Sequence, residues 1–289
     1  MNLGTLLIQV FINGLTVGSS YILMALGFTM IFGILRVINF AHGEFYMLGA
    51  LTAYYFLTQF GVNYWIAVLL AMLIIGLLGY LVEKILFHPI RHDEMRTMIL
   101  ALGLSITVQN LGVIVAGPED LSINSPVSGI LQVGKLTLPE DRLMVVGVTI
   151  VVLIVFYYFL HFTKIGLALR ALAQDEEAAK AQGINTKRIY AFGFGIGTAL
   201  AAVAGVLMGT IYSVSPFMGS VSLLKAFVVV ILGGLGSIPG AILGGLVLAM
   251  GESFASTFIG SSTASLFGFL LVIVILIVKP SGFFGLKEG

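Results

Sequence analysis

The chain has 289 residues, 59% of them hydrophobic and 9% charged, with a formal net charge of +1 and a mean hydropathy of +1.11. Soluble domains run nearer ~45–50% apolar and ~25% charged, so the composition describes a polytopic membrane protein and gives no sign of nucleic-acid binding. There is no cysteine, which rules out a disulfide framework and a thiolate metal site. The length holds roughly eight spans of ~20 residues, read as one membrane domain over 1–289 with no room for a soluble catalytic domain.

Taken in order, residues 6–35 form an apolar run interrupted by Asn13-Gly14 and Gly18-Ser19-Ser20. As a helix it would reach ~45 Å, too long for one upright crossing of a ~30 Å core; a tilted helix, a broken one or two short ones would fit. Met1 to Thr5 lacks a basic n-region and no small-residue cleavage site follows the apolar run, so it reads as part of the first helix. Arg36 to Glu44 is a polar punctuation. Spans are then predicted over 45–60 and 64–82, the latter opening on an interfacial Tyr64-Trp65 pair.

Residues 83–96 are polar, 97–116 span and contain Gln109-Asn110, and 117–142 form the longest loop, acidic and rich in Gly, Pro and Ser. A span over 144–162 leads to a charged island, Arg170 to Asn185, predicted as a helix of about five turns. Lipid offers its charges no partner, so this island lies outside the hydrocarbon. After a span over 189–214 the chain is glycine-dense, in keeping with its 36 glycines and with helices that pack backbone to backbone. Residues 223–232 are too few for a full span and end in Gly233-Gly234-Leu235-Gly236-Ser237-Ile238-Pro239-Gly240, the pattern of a broken helix lining a transporter cavity. Spans over 241–258 and 266–278 precede the tail.

Charge asymmetry orients the chain. Putting 83–96, the island and the tail in the cytoplasm gathers Arg36, Lys84, Arg91, Arg96, Lys164, Arg170, Lys180, Lys187, Arg188, Lys279 and Lys287 there. Only Lys135, Arg142 and Lys225 remain for the opposite side. The positive-inside rule therefore makes 164–188 a cytoplasmic segment and 117–142 an external loop.

No Walker A, H-E-x-x-H or G-x-S-x-G pattern appears. Gly193-Phe194-Gly195-Ile196-Gly197 lies inside an apolar run with no strand before it, so it reads as helix packing, as do Gly14-x-x-x-Gly18, Gly205-x-x-x-Gly209 and Gly240-x-x-x-Gly244. The island is sharper. Glu177-Ala178-Ala179-x-x-x-Gly183 has small residues that admit close approach and a glycine suited to a C-cap. On spacing alone, an ordinary solvated connecting helix stands beside a docking helix.

Glu-Ala-Ala-x-x-x-Gly between two late spans resembles the coupling segment of ABC importer permeases. Ile38-Asn39-Phe40-Ala41-His42-Gly43-Glu44-Phe45-Tyr46-Met47-Leu48-Gly49, Ala204-Gly205-Val206-Leu207 and 232–240 resemble the branched-chain amino acid branch of that superfamily, in its first-permease type, over nearly the whole chain. The resemblance implies an all-α fold of about eight transmembrane helices with a broken glycine-rich helix in the C-terminal third and a cytoplasmic coupling helix. It also implies a bacterial inner-membrane machine containing a second permease, two ATP-binding cassette ATPases and an extracytoplasmic binding protein. ATP and magnesium would sit on the ATPases, with no cofactor in this chain. Carried over by position, Glu177, Ala178, Ala179 and Gly183 form the coupling contact, with Arg170 and Asp175 at its start.

A second constellation is polarity inside the membrane: Asn39, His42 and Glu44 at one span start, and Lys225 and Glu252 in later spans. An ionisable group at depth costs at least ~2.5–3.5 kcal/mol, so it faces a partner or a cavity. One reading is a pathway for a zwitterionic substrate; the other is a structural ion pair or groups that snorkel. His42 has no second ligand at metal spacing, so no metal site is read. Gly233, Gly234, Gly236, Pro239 and Gly240 read as a gate or hinge, or as tight packing against a partner. Three rival functions stay open: the same machine carrying urea or other amides, an ion-coupled secondary transporter or channel, and a membrane assembly protein.

Overall fold

The computed structural model describes residues 3–35, 39–133, 136–279 and 281–284. Arg36, Lys135 and Lys287 of the charge tally, Ile38 of the motif and the tail from Gly285 lie outside them. The described residues are helical almost throughout: α1 (Leu3–Leu35), α2 (His42–Thr58), α3 (Tyr64–Val82) continued by a π-helical turn (Glu83–Phe87), α4 (Glu94–Ala116), α5 (Glu140–Phe162), α6 (Lys164–Gln174), α7 (Glu176–Ala181), α8 (Thr186–Gly209), α9 (Met218–Gly233), α10 (Ile238–Phe258) and α11 (Ser261–Val278). Among them, six are long and apolar enough to cross a membrane: α1, α3 with its π-helical turn, α4, α5, α8 and α10; α9 and the apolar part of α11 are shorter. This is an all-α polytopic membrane protein.

Residues 3–35 form one unbroken helix, about 50 Å long at 1.5 Å per residue. The polar residues that suggested a break are absorbed locally: Thr16 Oγ1 and Ser19 Oγ donate to the Ile12 and Leu15 carbonyls at 2.9 and 2.8 Å. Several helices start on a side-chain cap. Asp93, Thr163, Asp175, Asn185 and Ser237 accept from backbone N–H groups of α4, α6, α7, α8 and α10.

α8 is the centre of the bundle. Of its apolar window 83% is buried, against 11% for α4 and 22% for α5, which face outward. Glycines let its neighbours come close: Gly195 lies on the Gly76 backbone of α3, Gly197 on Gly27 of α1, and Gly205 on the Tyr46 carbonyl of α2. A Cβ at Gly195 would sit 2.7 Å from the Gly76 oxygen.

The polar residues just before residue 45 lie inside the bundle. Asn39, His42 and Glu44 are each at most 2% exposed, and α2 begins inside the bundle, its first turn against Gly27 of α1 and Gly219 of α9. The 117–142 loop also holds what the sequence did not signal, a two-stranded antiparallel hairpin, β1 (Ile130–Val133) with β2 (Leu136–Pro139). Leu121 and Val214 exchange backbone hydrogen bonds at 2.9 and 2.7 Å, which lays the loop across the end of α8.

Replacing Gly195 with Leu is expected to force α3 and α8 apart and cost about 1–3 kcal/mol, read as a lower melting temperature of the solubilised protein. Gly147→Leu is the control, since nothing lies within 4 Å of a Cβ there; equal melting points for the two variants would contradict this packing.

Candidate functional site

The charged island is not one five-turn helix. It breaks at Asp175, where the backbone is extended (φ −153°, ψ 115°) and the side chain caps α7 by accepting from Glu177 N and Ala178 N at 2.8 and 3.0 Å. An Asp that can bond the backbone two residues on favours this break over helix continuation. α7 then ends on Gly183, at φ +80°, with Ile184 N donating to the Ala179 carbonyl at 3.1 Å. The left-handed cap is what that glycine supplies.

The island's residues divide by face. Asp175, Glu177, Ala178 and Gly183 are exposed, Arg170 is half-buried, and Ala179 turns into the core. Ala179 therefore seats α7 on the bundle, while the others form an outward surface.

That surface is anchored by residues the sequence reading passed over. Glu176 Oε1 accepts from Lys180 Nζ at 2.8 Å and from Arg91 Nη2 at 3.3 Å, and Glu176 Oε2 accepts from Tyr190 Oη at 2.6 Å. The Arg91 guanidinium also lies 4.2 Å from the Tyr190 ring centroid, within cation–π reach. Partial burial would raise the Glu176 carboxyl, but the bonds from Lys180 and Tyr190 and the Arg91 charge outweigh it and hold it below the ordinary value. Nearby His88 is lowered, by burial first and then by Arg91, Lys187 and His92. Residues 83–96 and the island thus meet at one end of the bundle. Arg91 and Glu176 are 85 positions apart, a separation no sequence pattern bridges.

The intramembrane polar residues form two groups. At the start of α2, Asn39 Oδ1 accepts from Ala41 N at 3.0 Å, His42 Nε2 donates to the Met24 carbonyl at 3.3 Å, and Glu44 Oε1 accepts from Ser105 Oγ of α4 at 2.9 Å. Asn39 Nδ2, His42 Nδ1 and Glu44 Oε2 are buried with no hydrogen-bond partner. The other group lies between α1, α9 and α10. Lys225 Nζ donates to Glu252 Oε1, and Tyr21 Oη donates to Glu252 Oε2 at 2.8 Å. No described hydrogen bond or ion pair joins the two groups.

Gly233 to Gly240 form the turn of a helical hairpin. Gly234 and Gly236 have φ of +98° and +79°, Ser237 caps α10, and Pro239 stands in its first turn. Gly233 packs on the Gly240 backbone. Phe283 N and Phe284 N donate to the Leu232 and Gly233 carbonyls at 2.8 and 2.9 Å, so the chain after α11 folds over the end of α9.

Residues 10–279 match the family model described as branched-chain amino acid transport system / permease component. The chain belongs to that family. It is 36% identical to the high-affinity branched-chain amino acid transport system permease protein LivH of Escherichia coli (strain K12), over 97% of this chain and 96% of the relative. The BraD permease protein of Pseudomonas aeruginosa matches at the same identity and coverage. LivM of the same Escherichia coli strain is 27% identical, over 91% of this chain and 67% of the relative. Relatives thus fall into two permease types of one transport system. A solved structure, PsaBC from Streptococcus pneumoniae in complex with Fab, has the same fold with a TM-score of 0.57 at 14% identity, covering 93% of this chain and 91% of that one.

For this permease, two variants probe the clusters. Lys225→Met is expected to cost roughly 3–5 kcal/mol by stranding Glu252, while Lys225→Met/Glu252→Gln costs less than the single change; melting temperatures decide, and the reverse order would deny the pair. Arg91→Ala is expected to loosen α7 by about 1 kcal/mol, seen as roughly fivefold faster amide exchange over 176–181. Because the folded-state Glu176 carboxyl is lowered, its contribution is complete above its ordinary value of 4.5 and is lost as pH falls below that. The Arg91 effect on exchange should fade over the same acid range.

Proposed function

We propose that this chain is a transmembrane subunit of an ATP-driven importer of branched-chain amino acids. The observation that carries the reading is the family match across 10–279, joined to an outward surface at 175–183 held on a short helix at the bundle end. In this reading the Asp175, Glu177, Ala178 and Gly183 surface docks on an ATPase. Arg91 and Tyr190 pass its movement to the π-helical end of α3 and to α8. Two ATP-binding cassette ATPases carry ATP and magnesium, a second permease of LivM type pairs with this one, and an extracytoplasmic protein delivers the cargo. The chain itself catalyses no covalent reaction.

The positive-inside pattern puts the α7 end and the C-terminus in the cytoplasm and the 117–142 loop outside the inner membrane. We count about eight spans, with α9, at 16 residues, the short segment joined to α10. The α9–α10 turn is the hinge in this scheme, and the α2 start and Lys225–Glu252 groups lie along the pathway. The face of α4 carrying Gly103, Thr107 and Asn110 meets the second permease. It is exposed, has open space at Gly103, and its polar side chains bond their own backbone, Thr107 to Gly103 and Asn110 to Ile106, both at 2.7 Å.

The test is uptake of labelled leucine in cells with and without this chain, its partner subunits present. Chain-dependent uptake that stops with vanadate, survives an uncoupler and is displaced by valine supports the reading. Collapse with the uncoupler would point to ion coupling, and displacement by urea alone to an amide importer. Gly183→Asp is expected to abolish ATPase co-purification or transport. There is room for the side chain, so the fold should carry the backbone cost of about 1–2 kcal/mol at φ +80°; a folded variant with unchanged coupling would remove α7 from the scheme.

A further inference from the structure

A cavity of about 300 Å³ opens at the end of the bundle opposite α7. Its walls come from α1, the first turn of α5, the segment after α8, the last turns of α10, and α11. Arg142 and Glu252 both line it, with Asn13, Tyr21 and Tyr212, and with Ser253, Ser256 and Thr257 of α10. Val17, Ile211, Ala249 and Ala264 supply apolar wall. The volume stands at the small end of ligand sites, a size for a metabolite rather than a peptide.

Two features of the charges matter. Among the described residues Arg142 has no carboxylate partner; its side chain donates to the Asn13 amide oxygen. A guanidinium has five N–H donors in a planar fork, so most of its capacity is left for an incoming group, and a carboxylate is the group that matches it. Glu252, by contrast, accepts one bond on each oxygen, from Lys225 and Tyr21. Each oxygen keeps a second lone pair. The cavity therefore offers a donor fork suited to a carboxylate and a carboxylate with acceptor capacity suited to an ammonium.

We infer that this cavity is a subsite for the zwitterionic head of a small apolar α-amino acid, with Arg142 holding the carboxylate and Glu252 facing the ammonium. The inference rests on the importer reading above and deepens it: the subsite lies within this one chain, at the end where cargo arrives in that scheme. The apolar wall accepts a branched aliphatic side chain. The Tyr21 and Lys225 bonds hold the Glu252 carboxylate in place before ligand comes, so less ordering is lost on binding.

The experiment uses the assembled complex in nanodiscs, without its binding protein, and measures equilibrium binding of labelled leucine. The wild type is expected to bind it. 4-Methylpentylamine, which lacks the carboxylate, and 4-methylpentanoate, which lacks the ammonium, are expected to compete at least tenfold less well than leucine. Arg142→Gln is expected to weaken binding tenfold or more, with Arg142→Lys recovering part of it. Ser256→Leu, which fills the cavity without touching a charge, is expected to abolish binding while the melting temperature stays at the wild-type level. Uptake driven by saturating loaded binding protein is then compared across the same variants.

A wild-type complex that binds no leucine overturns the subsite, as do Arg142→Gln and Ser256→Leu complexes that bind and transport as wild type does. Equal competition by 4-methylpentanoate overturns the zwitterion assignment in favour of a plain anion site. Failure of the importer reading looks different: the wild type would show no leucine uptake with its binding protein present, whatever the binding measurement gives.

Discussion

Close backbone approach around α8 is the constraint on which the rest depends. Lipid tails are as apolar as leucine, so burying one apolar helix against another gains little from solvent, and association falls to packing and to hydrogen bonds. Glycines at 195, 197 and 205 let α3, α1 and α2 meet α8 at backbone distance. The same device seats Gly43 of α2 on Gly219 of α9 and Gly233 on Gly240. With α8 so enclosed, the outward surfaces of α3, α4 and α5 can be apolar and loosely covered, because lipid or another chain meets them.

Against that packed centre, the buried polar groups are placed with economy. Glu44 and Glu252 each have at least one bond to a distant element, Glu44 to α4 and Glu252 to α1 and α9, whereas Glu83 in the π-helical turn is buried with no hydrogen-bond partner on either oxygen. A lone charge there would cost several kcal/mol; these bonds tie helices together, and Lys225 also neutralises Glu252. The start of α2 is less complete, with one unpartnered atom on each of Asn39, His42 and Glu44. Incomplete satisfaction in a bundle otherwise so tightly packed marks this as a place where a second arrangement of the chain costs little.

Much of the fold was legible because spans in lipid must be apolar for their whole length, and the predicted runs over 64–82, 97–116, 144–162 and 241–258 differ from α3, α4, α5 and α10 chiefly by a turn at the ends. The family was legible through motifs at 38–49, 177–183 and 232–240. The failures have physical causes. A helix can absorb Thr16 and Ser19 by bonding back to its own carbonyls, so of the alternatives left open for 6–35 the single long helix is the one formed. The reverse held in the island, where strong helix formers were overruled by one Asp that caps α7. Asn39, His42 and Glu44 were legible as polarity inside the membrane, but their partners, Met24 for His42 and Ser105 for Glu44, lie too far along the chain to be read from it. Arg91, Tyr190, Tyr21 and Arg142 carry no motif at all; their roles exist only once distant segments meet.

The two ends of the molecule are connected by the same few helices. At one end Glu176 is gripped by Arg91, before α4, and by Tyr190, in the second turn of α8. At the other, the segment after α8 and the end of α10 wall the cavity, and α1 reaches it through Asn13 and Tyr21. A 24-residue helix such as α8 is about 36 Å long and stiff, so a shift of its Tyr190 end is felt at Ile211 and Tyr212. α1, locked to α8 at Gly27 and to α10 along its length, would move with it. In the proposed scheme, closure at α7 and opening at the Arg142–Glu252 cavity would therefore be one mechanical event, because the glycine contacts around α8 leave no compressible layer between them.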